Sequence, residues 1–178
     1  QGHPYATTVI GSMEDLDAAS LEDVHEWFRT YYGPNNAVIV VAGDVVPEDV
    51  LEKVNHYFGD IPPGPPISKL DNWVVKLERD KREIMQDRVP QARIYKVWGG
   101  PTITDGDSEL LDLFGAVLAG GKNSRLFERL VYNDQIATVA QAGVIGIEIG
   151  GLFWITATAQ PGGDLAEVER VINEELEQ

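Results

Sequence analysis

Histidines at positions 3, 25 and 56 are the chain's only imidazoles, and it has no cysteine. Zinc catalysis needs three protein ligands converging on one metal, commonly with two of them close together on one helix. Here no two histidines lie within 20 residues of each other, and neither H-E-x-x-H nor H-x-x-E-H occurs. Glu22, His25 and Glu26 have i, i+3, i+4 spacing. That spacing could hold an adventitious metal, but it reads first as a solvated acidic helix face. His56, beside Tyr57, reads as interfacial packing.

Other chemistry-bearing patterns fail on inspection. Ala119-Gly-Gly-Lys-Asn-Ser124 has the look of a phosphate loop, yet Ala116 stands where the first glycine belongs and Asn123 where the magnesium-binding hydroxyl belongs. Val41-Ala-Gly-Asp44 follows an apolar run but lacks the second and third glycines of a dinucleotide fingerprint. There is no G-x-S-x-G for a serine nucleophile. The carboxylates concentrate on helices, where they read as solubilising surface. Taken residue by residue, the chain offers no catalytic group and no metal ligand set.

The bulk properties narrow the partners. With 178 residues and 43% hydrophobic content the chain can bury a real core, as one domain or two small ones. A net charge of −15 and a pI near 4.4 argue against nucleic-acid binding, for want of cations to neutralise phosphates, and against anionic membrane surfaces. No apolar run reaches the roughly 18 residues of a membrane span. The absence of cysteine rules out disulfides and fits an exported protein. The opening Gln1-Gly-His-Pro4 carries neither an initiating Met nor a basic-then-apolar leader, so the chain reads as a piece of something longer.

Residues 33–60 supply the clearest scaffold: turn, strand, turn, helix. The run 37–42, AVIVVA, is apolar and β-branched, and predicts a strand covered on both faces. Pro47 suits a first helical position, with Glu48 and Asp49 beside the positive end of the dipole and Gly59 placed to end the helix. Val50, Leu51, Val54, Tyr57 and Phe58 make its apolar face. Before this unit, Ser20 and Asp23 form a capping box for a helix over 20–32, which Gly33-Pro34 stops. The stretch 61–68, IPPGPPIS, is a stiff connector and the main boundary.

Beyond it the pattern changes. Strands are expected at 73–78 and 82–87, flanking a tight turn, and at 92–98, with Ile94 on one face and Arg93, Tyr95 and Val97 on the other. A helix starting at Asp107 or Ser108 should turn Leu110, Leu111, Phe114, Val117 and Leu118 inward and end at Gly120-Gly121. A short helix over 124–132, strands at 138–147 and 152–159, and an amphipathic helix from Asp164 complete the chain. The order predicts an α+β fold with a largely antiparallel sheet rather than a doubly wound one. A weak echo of helix, strand, helix suggests two related halves.

Three stretches carry a family resemblance: Gly2-His-Pro-Tyr5 through Ile10-Gly-Ser12; Tyr31-Tyr-Gly-Pro-Asn-Asn36 with the following strand and Tyr57-Phe-Gly-Asp-Ile-Pro62; and Leu118-Ala-Gly-Gly121 with Ser124-Arg-Leu-Phe127. The chain resembles the M16 zinc metallopeptidases, the insulinase, pitrilysin and mitochondrial processing peptidase group, and most of all their long bacterial, exported members. The resemblance implies a C-terminal-type region lying after the zinc-bearing subdomain. Residues 1–60 would close one α/β subdomain, 61–71 would form the linker, and 72–178 would make most of a second subdomain. The family's H-x-x-E-H and third Glu ligand would lie upstream, so zinc belongs to the parent protein and not to this region. In the family's substrate-contacting half, an Arg and a Tyr seven residues later touch the substrate. The register of Ser124-Arg-Leu-Phe127 puts those positions at Val131 and Thr138, which retain neither group, while Arg129 and Tyr132 have the wrong spacing. The resemblance therefore implies a non-catalytic structural region that helps a zinc-bearing subdomain and a second M16 half, fused or separate, to enclose a peptide. A family member that serves only as an assembly scaffold is the alternative. Periplasmic or otherwise exported location is the accompanying expectation.

Overall fold

Ser20 accepts the N–H of Asp23 at 3.2 Å, and Asp23 accepts the N–H of Ser20 at 2.8 Å, so two otherwise unpaired helix-end donors are satisfied reciprocally. This capping box starts α2, Leu21–Tyr31, in the computed structural model, which describes residues 2–178. The chain divides into two compact units, one ending at Lys69 and the other beginning at Leu70.

In the first unit a six-residue helix not foreseen in the sequence, α1 (Met13–Ala18), precedes α2, and Ser12 caps it by accepting the Asp15 N–H at 3.0 Å. Helix α3 runs Pro47–Phe58 with proline in its first turn, and the Gly59 N–H returns to the Asn55 carbonyl at 2.9 Å. Asn35, just past α2, accepts the Gly64 N–H at 2.7 Å and donates to the Gly64 carbonyl at 3.1 Å. The proline-rich stretch is thereby clasped to the turn that follows α2.

The run 37–42 departs from expectation. It forms no strand ladder and is exposed, with Val38 at 90% and Val40 at 83%. A β-branched apolar run expresses a preference for a pleated, covered surface; the strand itself needs a neighbour to complete its hydrogen bonds, and the first unit supplies none among the described residues. The apolar faces of α2 and α3 are likewise open, with Trp27, Leu51 and Tyr57 all exposed. The suggested echo between halves fails with the missing strand.

The second unit holds the buried core. Strands β1 (Arg93–Gly100), β2 (Ala137–Gly146) and β3 (Gly151–Ala159) form an antiparallel sheet in the order β1-β3-β2. The helices are α4 (Gly106–Ala119), the short α5 (Arg125–Phe127) and α6 (Leu165–Leu176), each of the long ones started by an aspartate, Asp105 and Asp164 respectively. One sheet face, carrying Ile94, Ala140, Phe153, Ile155 and Ala157, joins Leu118, Leu126, Leu130, Val168, Val171 and Ile172 in a single core. This α+β arrangement with an antiparallel sheet is the predicted class.

Three local expectations are corrected. The stretches 73–78 and 82–87 form no hairpin; Trp73 instead donates its N–H to the Ile149 carbonyl at 2.6 Å, and the rest runs outside any ladder. Helix α4 begins at Gly106 and rests on Ser108, Gly115, Leu118 and Ala119, while Leu110, Phe114 and Val117 stay exposed. Its apolar arc is wider than its contact, which centres on Gly115, where α4 and β2 approach backbone to backbone. The helix expected over 124–132 is α5 continued by a π-helical turn, Glu128–Asn133, that closes with the Asp134 N–H on the Arg129 carbonyl at 2.9 Å.

Candidate functional site

The positions where the resemblance would seek substrate contacts are occupied by packing groups. Val131, in the π-helical turn, lies partly buried against the core. Thr138 sits where the β2–β3 ladder slips between Ala137 and Val139; its hydroxyl accepts from Gln91 Nε2 at 3.2 Å and donates to the Thr158 carbonyl at 3.4 Å. Arg129 is committed elsewhere: it donates to Asp134 at 2.9 Å and to Glu174 at 3.2 Å, and stands 3.5 Å from Glu175. These carboxylates, with the Asp134 hydrogen bond foremost, hold its guanidinium pKa above the ordinary arginine value. Tyr132 is exposed on the same turn.

Arg125 completes the cluster. Its Nε reaches Glu175 Oε2 at 3.1 Å and its Nη2 the Glu175 carbonyl at 2.9 Å, while Arg170 pairs with Glu174 one turn along α6. The group ties α5 and the π-helical turn to the end of α6, where cations also complement the negative end of the helix dipole. Its members lie 45 and 50 residues apart in sequence, so no local spacing announced them.

The donor set does not fit zinc. His3 Nδ1 accepts the Tyr5 N–H at 3.1 Å and its ring tilts against Tyr5; His56 meets Tyr57 edge-on at 4.9 Å; His25 lies on α2. Among the described residues no three His, Cys, Asp or Glu side chains come together in a way that could hold a metal ion. The Gly120-Gly-Lys-Asn loop does not make a phosphate cradle: Ser124 turns its hydroxyl back onto the Gly121 carbonyl. With Phe127, Trp154 and the strand residues 138–142, this loop borders a shallow depression of about 440 Å³. No helix among the described residues is long and apolar enough to cross a membrane.

An antiparallel sheet with helices packed on one face makes an α+β domain, and comparison with known proteins says which kind. The family model for the peptidase M16 inactive domain matches residues 18–178, and the chain belongs to the M16 family. It is 28% identical over 169 residues to the zinc protease PqqE of Helicobacter pylori, covering 89% of this chain and 36% of that protein. Against the probable mitochondrial-processing peptidase subunit beta of Arabidopsis thaliana it is 26% identical over 168 residues, covering 88% and 32%. The crystal structure of a peptidase M16 inactive domain from Pseudomonas fluorescens shares its fold, with a TM-score of 0.77 over 99% of this chain and 43% of that one, at 20% identity. The chain thus spans about a third of the length of the relatives it matches.

Proposed function

We propose that this chain is a non-catalytic structural region of a longer M16 zinc metallopeptidase, and that it helps to form the chamber in which a peptide is enclosed. The observation that carries the reading is the match of the inactive-domain model across 18–178. The commitment of Val131, Thr138 and Arg129 to packing and ion pairing supports it. So do the open apolar faces of α2, α3 and 37–42, which in this reading are covered by the zinc-bearing subdomain and the remainder of a two-half assembly. Zinc and the water it activates belong to that subdomain. The chain's own residues contribute shape: a rigid three-stranded wall backed by α4 and α6. Residues 1–60 would close one subdomain and 72–178 build most of the next, with 61–71 between them, in a periplasmic or exported protein.

The test is the longer natural protein that contains this sequence. It should carry H-x-x-E-H with a downstream Glu, bind one zinc per active site, hydrolyse internally quenched peptides, and fractionate with exported proteins. A parent protein that lacks the motif and hydrolyses nothing would favour an assembly scaffold instead.

A further inference from the structure

The sheet of the second unit has a second face that no helix covers; residues 74–75 lie against it at Gly99, and Thr156 and Thr158 in its middle are buried between the flanking strands' side chains. Its residues fall in rows across the three strands: Arg93, Thr158 and Val139; Tyr95, Thr156 and Gln141; Val97, Trp154 and Gly143; then Leu152 and Ile145. Tyr95 is 64% exposed, Val97 and Ile145 49%, and Leu152 41%. The row at one end is different in kind. Arg93 donates through Nε to Thr158 Oγ1 at 2.8 Å and through Nη1 to Tyr95 Oη at 3.3 Å, with its guanidinium carbon 6.0 Å from the Tyr95 ring centroid. Those contacts fix the plane of the guanidinium and leave its remaining N–H groups open. Of the four arginines on strands and helices of this unit, 125, 129 and 170 have carboxylate partners and Arg93 has none among the described residues. An exposed arginine oriented by a threonine hydroxyl and a phenol oxygen is placed to receive a carboxylate brought from outside.

We propose that Arg93 is a specificity-determining residue that receives an acidic side chain of an extended peptide lying on this sheet face, with the peptide's apolar side chains on the strip from Tyr95 to Leu152 and Ile145. Charge complementarity selects the occupant, because a guanidinium oriented by hydrogen bonds to a threonine hydroxyl and a phenol oxygen can meet a carboxylate in two parallel hydrogen bonds. From Thr158 to Leu152 the strand spans about 20 Å at ~3.3 Å per residue, room for some six residues of extended peptide. The assignment rests on the peptide-enclosing function proposed above and names the class of peptide it favours.

The experiment uses the longer natural protein and two internally quenched peptides, rich in Leu and Val, that differ only in carrying Glu or Gln. The Glu peptide should show the lower KM. Arg93→Gln should raise that KM about tenfold, which corresponds to ~1.4 kcal/mol, and bring the Glu-to-Gln KM ratio close to one. Arg93→Lys should restore part of the preference, and unfolding midpoints of both variants report whether the fold is intact. An unchanged Glu-to-Gln ratio in a folded Arg93→Gln protein overturns the assignment while leaving the peptidase reading standing. Failure of the parent protein to cleave or bind either peptide overturns both.

Discussion

Glu175 is the one charged side chain among those the structure buries, at 8% exposure, and Arg125 answers it twice, at the carboxylate and at the backbone carbonyl. Burying a carboxylate is costly unless it is paired and hydrogen-bonded, so the pair matters most for what happens when one member is lost. Arg125→Met keeps the aliphatic stem and removes both bonds, leaving Arg129 at 3.5 Å as the remaining cation. The expected loss is ~1.5–3 kcal/mol in chemical unfolding, since a second cation stays within reach. An unchanged midpoint would mean that Arg129 serves Glu175 alone.

Gly115 sets the distance between α4 and the sheet. A Cβ there would stand 3.1 Å from the Gly143 Cα and 3.4 Å from the Ala142 carbonyl oxygen. Gly115→Val therefore forces the helix off β2 and should cost about 1–3 kcal/mol, as overpacking does elsewhere. On the other side of the sheet, a Cβ at Gly143 would meet the Trp154 ring at 3.5 Å, an ordinary contact, so Gly143→Ala should be much milder. Thermal unfolding of the two variants side by side checks the order; equal losses would contradict the close approach on the helix side.

Glu169 links Arg82, at 2.6 Å, and Lys96, at 3.4 Å, to α6. The Arg82 hydrogen bond, above all, holds its carboxyl below the ordinary value of 4.5; burial opposes the shift and Lys96 adds to it. Because the folded pKa is the lower one, the stabilisation is fully present above the unfolded value and is lost as pH falls through the folded value. Arg82 is largely exposed, so solvent screening keeps the pair's contribution small at neutral pH. The stability gap between the native chain and Glu169→Gln should be greatest at neutral pH and close as the pH drops below 4.5. A gap that widened on acidification would reverse the assigned sign.

Much of this was legible in the sequence where the signal is local. Ser20 and Asp23 announced α2, Pro47 and Gly59 bracketed α3, and the alternation of Arg93, Ile94 and Tyr95 gave both the strand and its faces. The failures are non-local. The β-branched run 37–42 stated a preference but could not name a partner strand, and 73–87 had the composition of a hairpin without the pairing. Leu110, Phe114 and Val117 outweighed Gly115 in the reading of α4 because size suggests burial, whereas the contact is made where there is no side chain. Arg125 with Glu175 and Arg93 with Thr158 depend on elements brought together from distant positions, 50 and 65 residues apart, and no spacing rule reaches that far.

On the proposed reading, the zinc and the hydrolysis of the longer protein lie outside these residues. The direct measurement is zinc content and peptide hydrolysis of the purified 178-residue chain beside the longer protein that contains it, with circular dichroism to verify that the chain is folded. The account predicts no stoichiometric zinc and no turnover in the chain, with or without added zinc, and both in the longer protein. One tightly bound zinc per chain, lost together with hydrolysis on replacing His3, His25 or His56, would contradict it.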